Sequence, residues 1–196
     1  TGTSVRAFQS TGSVTAAVTN GGVSSSAHIN QTSNWDGTSW STGTGSPVSG
    51  YSRVGFGTQT AAVFAGGQNG PSTLYTTINE YNGSSWTTSP GTLAQTTRSA
   101  RGTGTQTAGF IAAGSSGDPP TKLNQAYDYD GTCVAAVTSA PTAVDNAGGS
   151  GSSQSAFILY GGEAAPGITN ATVNWNGTSW TTLNSLNNGS QNVAGT

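Results

Sequence analysis

The sequence has almost no charge. Five Lys or Arg and seven Asp or Glu stand among 196 residues, 6% of the chain, where an average soluble domain carries about 25%. A net charge of −2 with scattered cations leaves no basic stripe to neutralise phosphates, which excludes nucleic acid and anionic membranes as electrostatic partners. Methionine is absent, and cysteine and histidine occur once each. Cys133 alone can form neither an internal disulfide nor a cysteine-based zinc site, and one histidine cannot build a two-histidine metal centre. A Ser-His-Asp arrangement would have to use His28, which lies in the polar stretch Ser24-Ser25-Ser26-Ala27-His28-Ile29-Asn30 and reads as a solvated or strand-surface residue. The longest apolar runs, Ala61–Ala65 and Ala156–Tyr160, are far too short to span a membrane. No signal peptide is visible, and the start at Thr1 is what a processed product or a slice of a longer chain would show.

What fills the chain is Gly, Thr and Ser, 30, 32 and 27 residues respectively, and the apolar residues among them recur in register. Asn34-Trp35-Asp36-Gly37-Thr38-Ser39-Trp40 returns as Glu80-Tyr81-Asn82-Gly83-Ser84-Ser85-Trp86, as Asp128-Tyr129-Asp130-Gly131-Thr132-Cys133-Val134 and as Asn174-Trp175-Asn176-Gly177-Thr178-Ser179-Trp180, its glycines 46, 48 and 46 residues apart. A second landmark, Gly57-Thr58-Gln59-Thr60 leading to Gly66-Gly67, matches Gly12 to Gly21-Gly22, Gly104 to Ala113-Gly114, and Ser152 to Gly161-Gly162, stepping by 45, 47 and 48. Two unrelated motifs advancing together four times define stacked supersecondary units.

Each unit reads as β. Residues 60–65, 110–113 and 156–160 are short continuous apolar runs suited to inner strands covered on both faces. Upstream of each second strand lies a Gly-rich segment, residues 5–10, 51–56, 98–103 and 145–151, predicted as a first strand with little side chain to crowd its neighbours. Asp-Gly or Asn-Gly then predicts a hairpin turn. A loop over residues 36–39 sets Trp35 opposite Trp40; the same geometry pairs Tyr81 with Trp86 and Trp175 with Trp180, each pair worth about 0.5–1 kcal/mol beyond burial. Cys133-Val134 replace Ser-Trp in the third unit, which is therefore expected to be the least well anchored. The fixed spacing of these aromatics reads as packing between units.

Four strands per unit, a double glycine after the second and an aromatic–turn–Trp hairpin between the third and fourth resemble the kelch family. The likeness extends to kelch-like repeats in tail-fibre and other virion proteins of tailed bacteriophages, especially marine ones, whose units read much like Gly57-Thr58-Gln59-Thr60-Ala61-Ala62 followed by Asn176-Gly177-Thr178-Ser179-Trp180-Thr181. This resemblance implies an all-β, kelch-like β-propeller with four blades in this chain, each of four antiparallel strands. The blades cover approximately residues 1–46, 47–92, 93–140 and 141–185, with 186–196 a closing or extra strand; four blades alone, a slice of a larger propeller, and a strand shared with another subunit are all compatible with the pattern. Enzymes on related folds are poorly matched. The copper site of galactose oxidase needs two histidines and a cysteine-linked tyrosine, and a sialidase needs an arginine cluster, whereas Arg53, Arg98 and Arg101 occupy positions that do not align and read as first-strand surface residues. No catalytic residue, cofactor or metal is expected.

The variable loops after the double glycines are expected on one face. Their candidate contact residues are Asn69 and Pro71 in the second unit, Asp118, Pro119 and Pro120 in the third, and Glu163 and Pro166 in the fourth. The expectation is a non-enzymatic virion module, a tail-fibre or capsid-decoration piece that contacts other virion proteins or copies of itself and a host-surface glycan or envelope protein. The alternative is a secreted or cell-surface propeller lectin binding sugars between blades. Five Asn-x-Ser/Thr sequons, at Asn30, Asn82, Asn170, Asn176 and Asn188, are no more than this composition produces.

Overall fold

The computed structural model describes residues 4–192, and all their regular structure is β. The first unit runs β1 (Gln9–Gly12), β2 (Ala17–Asn20), β3 (Thr32–Trp35) and β4 (Trp40–Gly43); the second runs β5 (Val54–Thr58), β6 (Ala61–Ala65), β7 (Thr77–Tyr81) and β8 (Trp86–Thr92). In the third unit β9 (Arg101–Thr105) and β10 (Ala108–Ala112) precede a short hairpin, β11 (Ser115–Ser116) and β12 (Thr121–Lys122), before β13 (Ala126–Tyr129) and β14 (Val134–Val137) complete the sheet. The fourth is β15 (Gly148–Ser153), β16 (Ala156–Tyr160), β17 (Thr172–Trp175) and β18 (Trp180–Leu183). Each unit is built on one four-stranded antiparallel sheet whose strands lie side by side in chain order, and in the third unit β11 and β12 form a separate two-stranded sheet between β10 and β13 in sequence.

The hairpin register is the one the repeat dictates: Trp35 faces Trp40, Tyr81 faces Trp86, Tyr129 faces Val134 and Trp175 faces Trp180. The turn residue closes its own loop. Asp36 Oδ1 accepts the backbone N–H groups of Thr38 and Ser39, and Asn82, Asp130 and Asn176 do the same in their units. The glycine that follows has φ between +92° and +95° in all four turns, a conformation open to glycine at little steric cost.

The first strands begin about three residues later than the sequence predicts. Residues 6, 51, 98 and 145 each make one isolated bridge to the loop after the double glycine. The chain then passes through Ala7, Ser52, Ser99 or Asn146 at φ of 53–57° before the ladder starts. A left-handed residue interrupts an extended run, so each predicted segment splits into a bridge and a strand.

The first strands pack in the series β1, β5, β9, β15, and no comparable contact joins β15 to β1 among the described residues. Glycine permits this approach: a Cβ on Gly102 would stand 2.7 Å from Val54 Cγ2, and one on Gly149 would stand 2.7 Å from Arg101 Cβ. Three apolar clusters lie between successive units. Val18 meets Ala62, Phe64 and Tyr81; Val63, Ala65 and Ile78 meet Ile111, Tyr127 and Tyr129; Phe110 and Ala112 meet Phe157, Leu159 and Trp175. The core is thus three interfaces between sheets.

The arginines correct a sequence expectation. Arg53 is buried, with 2% of its surface exposed, and Arg98 and Arg101 are partly buried. Arg53 donates to Gly66 O, Phe64 O, Asn20 Oδ1 and Asn79 Oδ1, tying the first unit to the second. Its guanidinium reaches inward from the start of β5 because neighbouring carbonyl and amide oxygens supply the acceptors that water would otherwise provide.

The last described segment also departs from a closing strand. Residues 186–192 form no ladder and repeat the path of the inter-unit linkers instead. Gly162 N donates to Ser190 O at 2.6 Å, as Gly67 N does to Thr97 O at 2.7 Å and Gly114 N to Val144 O at 2.9 Å. Asn192 takes φ of 56° and its N–H donates to Asn146 O, as Ser99 N–H does to Ser52 O. The rest of the predicted strand, residues 193–196, lies outside the described residues.

Candidate interaction face

The connection from second to third strand carries the largest differences between units, and each copy is built on the same frame. The residue after the double glycine, Val23, Gln68, Ser115 or Glu163, bridges back to Arg6, Tyr51, Arg98 or Asp145. Beyond it the loops diverge. Ser24 N bonds Ala27 O in the first, Asn69 N bonds Thr73 O in the second, β11 and β12 form the third, and Ala164 N bonds Gly167 O in the fourth. Every tip is therefore a turn held by its own backbone.

Contacts between units join the tips into a continuous surface. The His28 ring stacks on Tyr51 with centroids 5.1 Å apart, and His28 bridges Val23 while partly buried, which fits the strand-surface alternative and not the solvated one. Arg98 Nη1 donates to Gln68 Oε1 of the preceding unit, and within the third unit the Thr96 and Ser116 hydroxyls lie 2.7 Å apart. Lys122 Nζ stands 3.1 Å from Glu163 Oε1, bridging the third loop to the fourth. An exposed pair of this kind is worth less than about 1 kcal/mol; its effect is to fix where the two loops sit.

The candidate contact residues divide accordingly. Pro71, Asp118, Pro119, Pro120 and Pro166 are exposed on this face, whereas Asn69 and Glu163 are partly buried and shape the loops. Gln68, Arg98, Lys122 and Tyr51 belong to the face and are absent from the sequence-based selection. A signal for Gln68 was available, since it follows the double glycine as Glu163 does, but the partners of these residues lie one unit away and no motif links them.

The repeat residues serve the opposite purpose. Tyr81, Trp86, Trp175 and Trp180 sit in or beside the sheet interfaces, with Tyr81 and Trp175 at 0% and 1% exposure, whereas Trp35 and Trp40 pair with each other on the open side of the first sheet. Trp86 Nε1 donates to Thr44 O and Thr32 Oγ1 of the preceding unit, and Trp180 Nε1 to Thr138 O. Tyr81 OH accepts from Asn34 Nδ2, and Tyr129 OH donates to Glu80 Oε1. Burial pushes the Tyr129 phenol well above its ordinary value. The four first strands together line an open cavity of about 590 Å³ walled largely by Gly, Ser and Thr. No group of three His, Cys, Asp or Glu side chains placed to hold a metal ion occurs among the described residues.

No protein-family model and no curated protein matches the chain. Solved structures do match, 172 chains in all. The arrangement is similar to that of YjhT. The two superpose with a TM-score of 0.76 at 11% sequence identity, over 93% of this chain and 66% of YjhT. At that identity the likeness is one of fold, and the chain spans 66% of YjhT's length.

Proposed function

We propose that the four sheets are blades of a kelch-like β-propeller acting as a non-enzymatic structural and adhesive module of a virion, akin to the tail-fibre or decoration proteins of tailed phages. The observation that carries this reading is the continuous loop face. Its tips expose Pro71, Asp118, Pro119, Pro120 and Pro166 and are tied laterally by His28–Tyr51, Gln68–Arg98 and Lys122–Glu163. A surface pre-ordered in this way loses little conformational entropy on contact, and its low charge leaves few ions to desolvate. The face suits broad, neutral, hydrogen-bonded contact with a host glycan, an envelope protein or a neighbouring virion protein.

The test is alanine replacement across residues 68–76 and 115–124. Loss of binding to host cells or isolated envelopes with retained folding is expected, and unchanged binding would sink the adhesive role. Co-purification with intact particles tests the virion setting. A secreted lectin is the competing reading, and the hydroxyl-rich wall of the cavity lined by the first strands is the observation in its favour. Glycan-array binding with several sites per chain would establish it, although the repeated aromatics that could stack on sugars are largely spent between the sheets.

A further inference from the structure

The two outer sheets are not finished as caps. A terminal repeat normally turns a polar face to water, yet the outer side of the first sheet presents Trp40 at 54% and Phe8 at 50% exposure, with Ile29 beside them around a groove of about 310 Å³. Positions that are sealed inside the array are open here. Tyr81, Tyr129 and Trp175 are at most 1% exposed, but Trp35, their counterpart, is only partly buried. On the outer side of the fourth sheet, Ile158 is partly exposed where Val18, Val63 and Phe110 are fully buried, and Leu183 is 43% exposed.

Hydrogen bonding shows the same unfilled pattern. The Trp86 indole finds Thr32 Oγ1 and Thr44 O on the preceding unit. Trp40 occupies the matching place in the first sheet, where no described residue supplies its indole N–H with an acceptor. At the far end Thr172 occupies the place of Thr32, and its Oγ1 is buried without a partner; exposed Asn184 stands at the place of Thr44. Residues 186–192, meanwhile, are already docked along the route by which each earlier unit hands the chain to the next.

From this geometry we propose that the gap between the fourth and first sheets is an interaction surface for two further units of the same kind, entering along the path of residues 186–192. The number follows from proportion: the four-unit array matches 66% of YjhT, which leaves room in that architecture for two more units. The partner's chemistry is fixed at both ends. Against the fourth sheet it presents an indole N–H at the position of Trp86 and a bulky apolar residue at that of Phe64. Against the first sheet it presents an apolar residue at the position of Val63 and a backbone carbonyl at that of Thr44, which receives the Trp40 indole. Val14 stands where Gln59 reaches back to Ala17 O and Trp35 O, so the last junction lacks that glutamine bond.

The proposal is tested by extending the full chain at its C-terminus with a second copy of its second and third units, residues 47–140, whose Trp86 and Phe64 face the fourth sheet and whose Phe110 and Thr138 carbonyl face the first. The extended protein is expected to be monomeric, to melt more than about 5 °C above chain 1–196, and to lose most of that gain on W40A in the original first unit. The same substitution in chain 1–196 should move the midpoint little. An extension that adds no stability, or a gain indifferent to W40A, would overturn the proposal. Should the extended chain aggregate, acrylamide quenching of Trp40 in chain 1–196, read against W40F, provides the second measurement. Quenching near that of free indole supports an open surface. Protection together with a dimeric mass would assign the gap to a second copy and overturn the two-unit reading.

Discussion

Arg53 is a cation enclosed without a carboxylate partner among the described residues. Burial lowers its pKa to about 10, so it remains charged at neutral pH, and four oxygens in two units share that charge. Replacing Arg53 with Ala strands the amide oxygens of Asn20 and Asn79 and should destabilise the fold by about 3 kcal/mol, measured by urea unfolding. Lysine should recover less than half, because an ammonium cannot reproduce the planar fork. The turn carboxylates give a pH signature. Hydrogen bonds from the Thr38 hydroxyl and from the Ser39 and Thr38 backbones hold Asp36 well below the usual carboxylate range, and those from Cys133 and Thr132 lower Asp130. A depressed carboxyl stabilises the fold above its unfolded pKa of about 4 and loses that contribution as pH falls through the folded value. The double variant D36N/D130N should therefore be less stable than the wild type at neutral pH and lose less stability on acidification, since its turns, like those closed by Asn82 and Asn176, do not titrate.

Among elements, the hairpin was legible in full, and the first strand was legible except for where it starts. Asn-Gly or Asp-Gly with flanking aromatics encodes loop length, turn type and cross-strand pairing locally, and the register follows in all four units. The first strand instead depends on a left-handed residue that is Ala, Ser or Asn and never Gly, so nothing in the sequence marks the break. Arg53 escaped for a related reason: its oxygen partners are common residues made special only by position. Two glycine substitutions separate crowding from composition. Gly109→Ala drives a Cβ into the Phe56 ring and should cost more than about 2 kcal/mol, whereas Gly167→Ala, with nothing within 4 Å, should be close to neutral in a thermal melt. Val134 brings no indole N–H to the junction that Trp86 and Trp180 secure. Amide exchange in β14 is accordingly expected to be faster than in β8 or β18.

For the whole molecule, stability rests on three apolar interfaces and scarcely on ions. Lys122–Glu163 is the one salt bridge among the described residues. Raising salt from about 0.05 to 0.5 M screens exposed pairs and should leave the melting midpoint within about 2 °C, whereas a large shift would reveal long-range electrostatics that the contacts do not contain. The four-unit plan and its aromatic interfaces were readable because period and spacing survive in sequence. The lateral ties of the loop face and the uncapped outer sheets were not, because they depend on which units become neighbours.

The neighbour-only series of first strands also bears on how the chain acquires its structure. Every strand pairs within its own unit, so the loops to be closed are short for an all-β protein, which favours fast formation. Each sheet can fold on its predecessor as the polypeptide leaves the ribosome. Among the described residues no early strand waits unpaired for a late one, so exposure to aggregation during synthesis centres on the most recently made sheet.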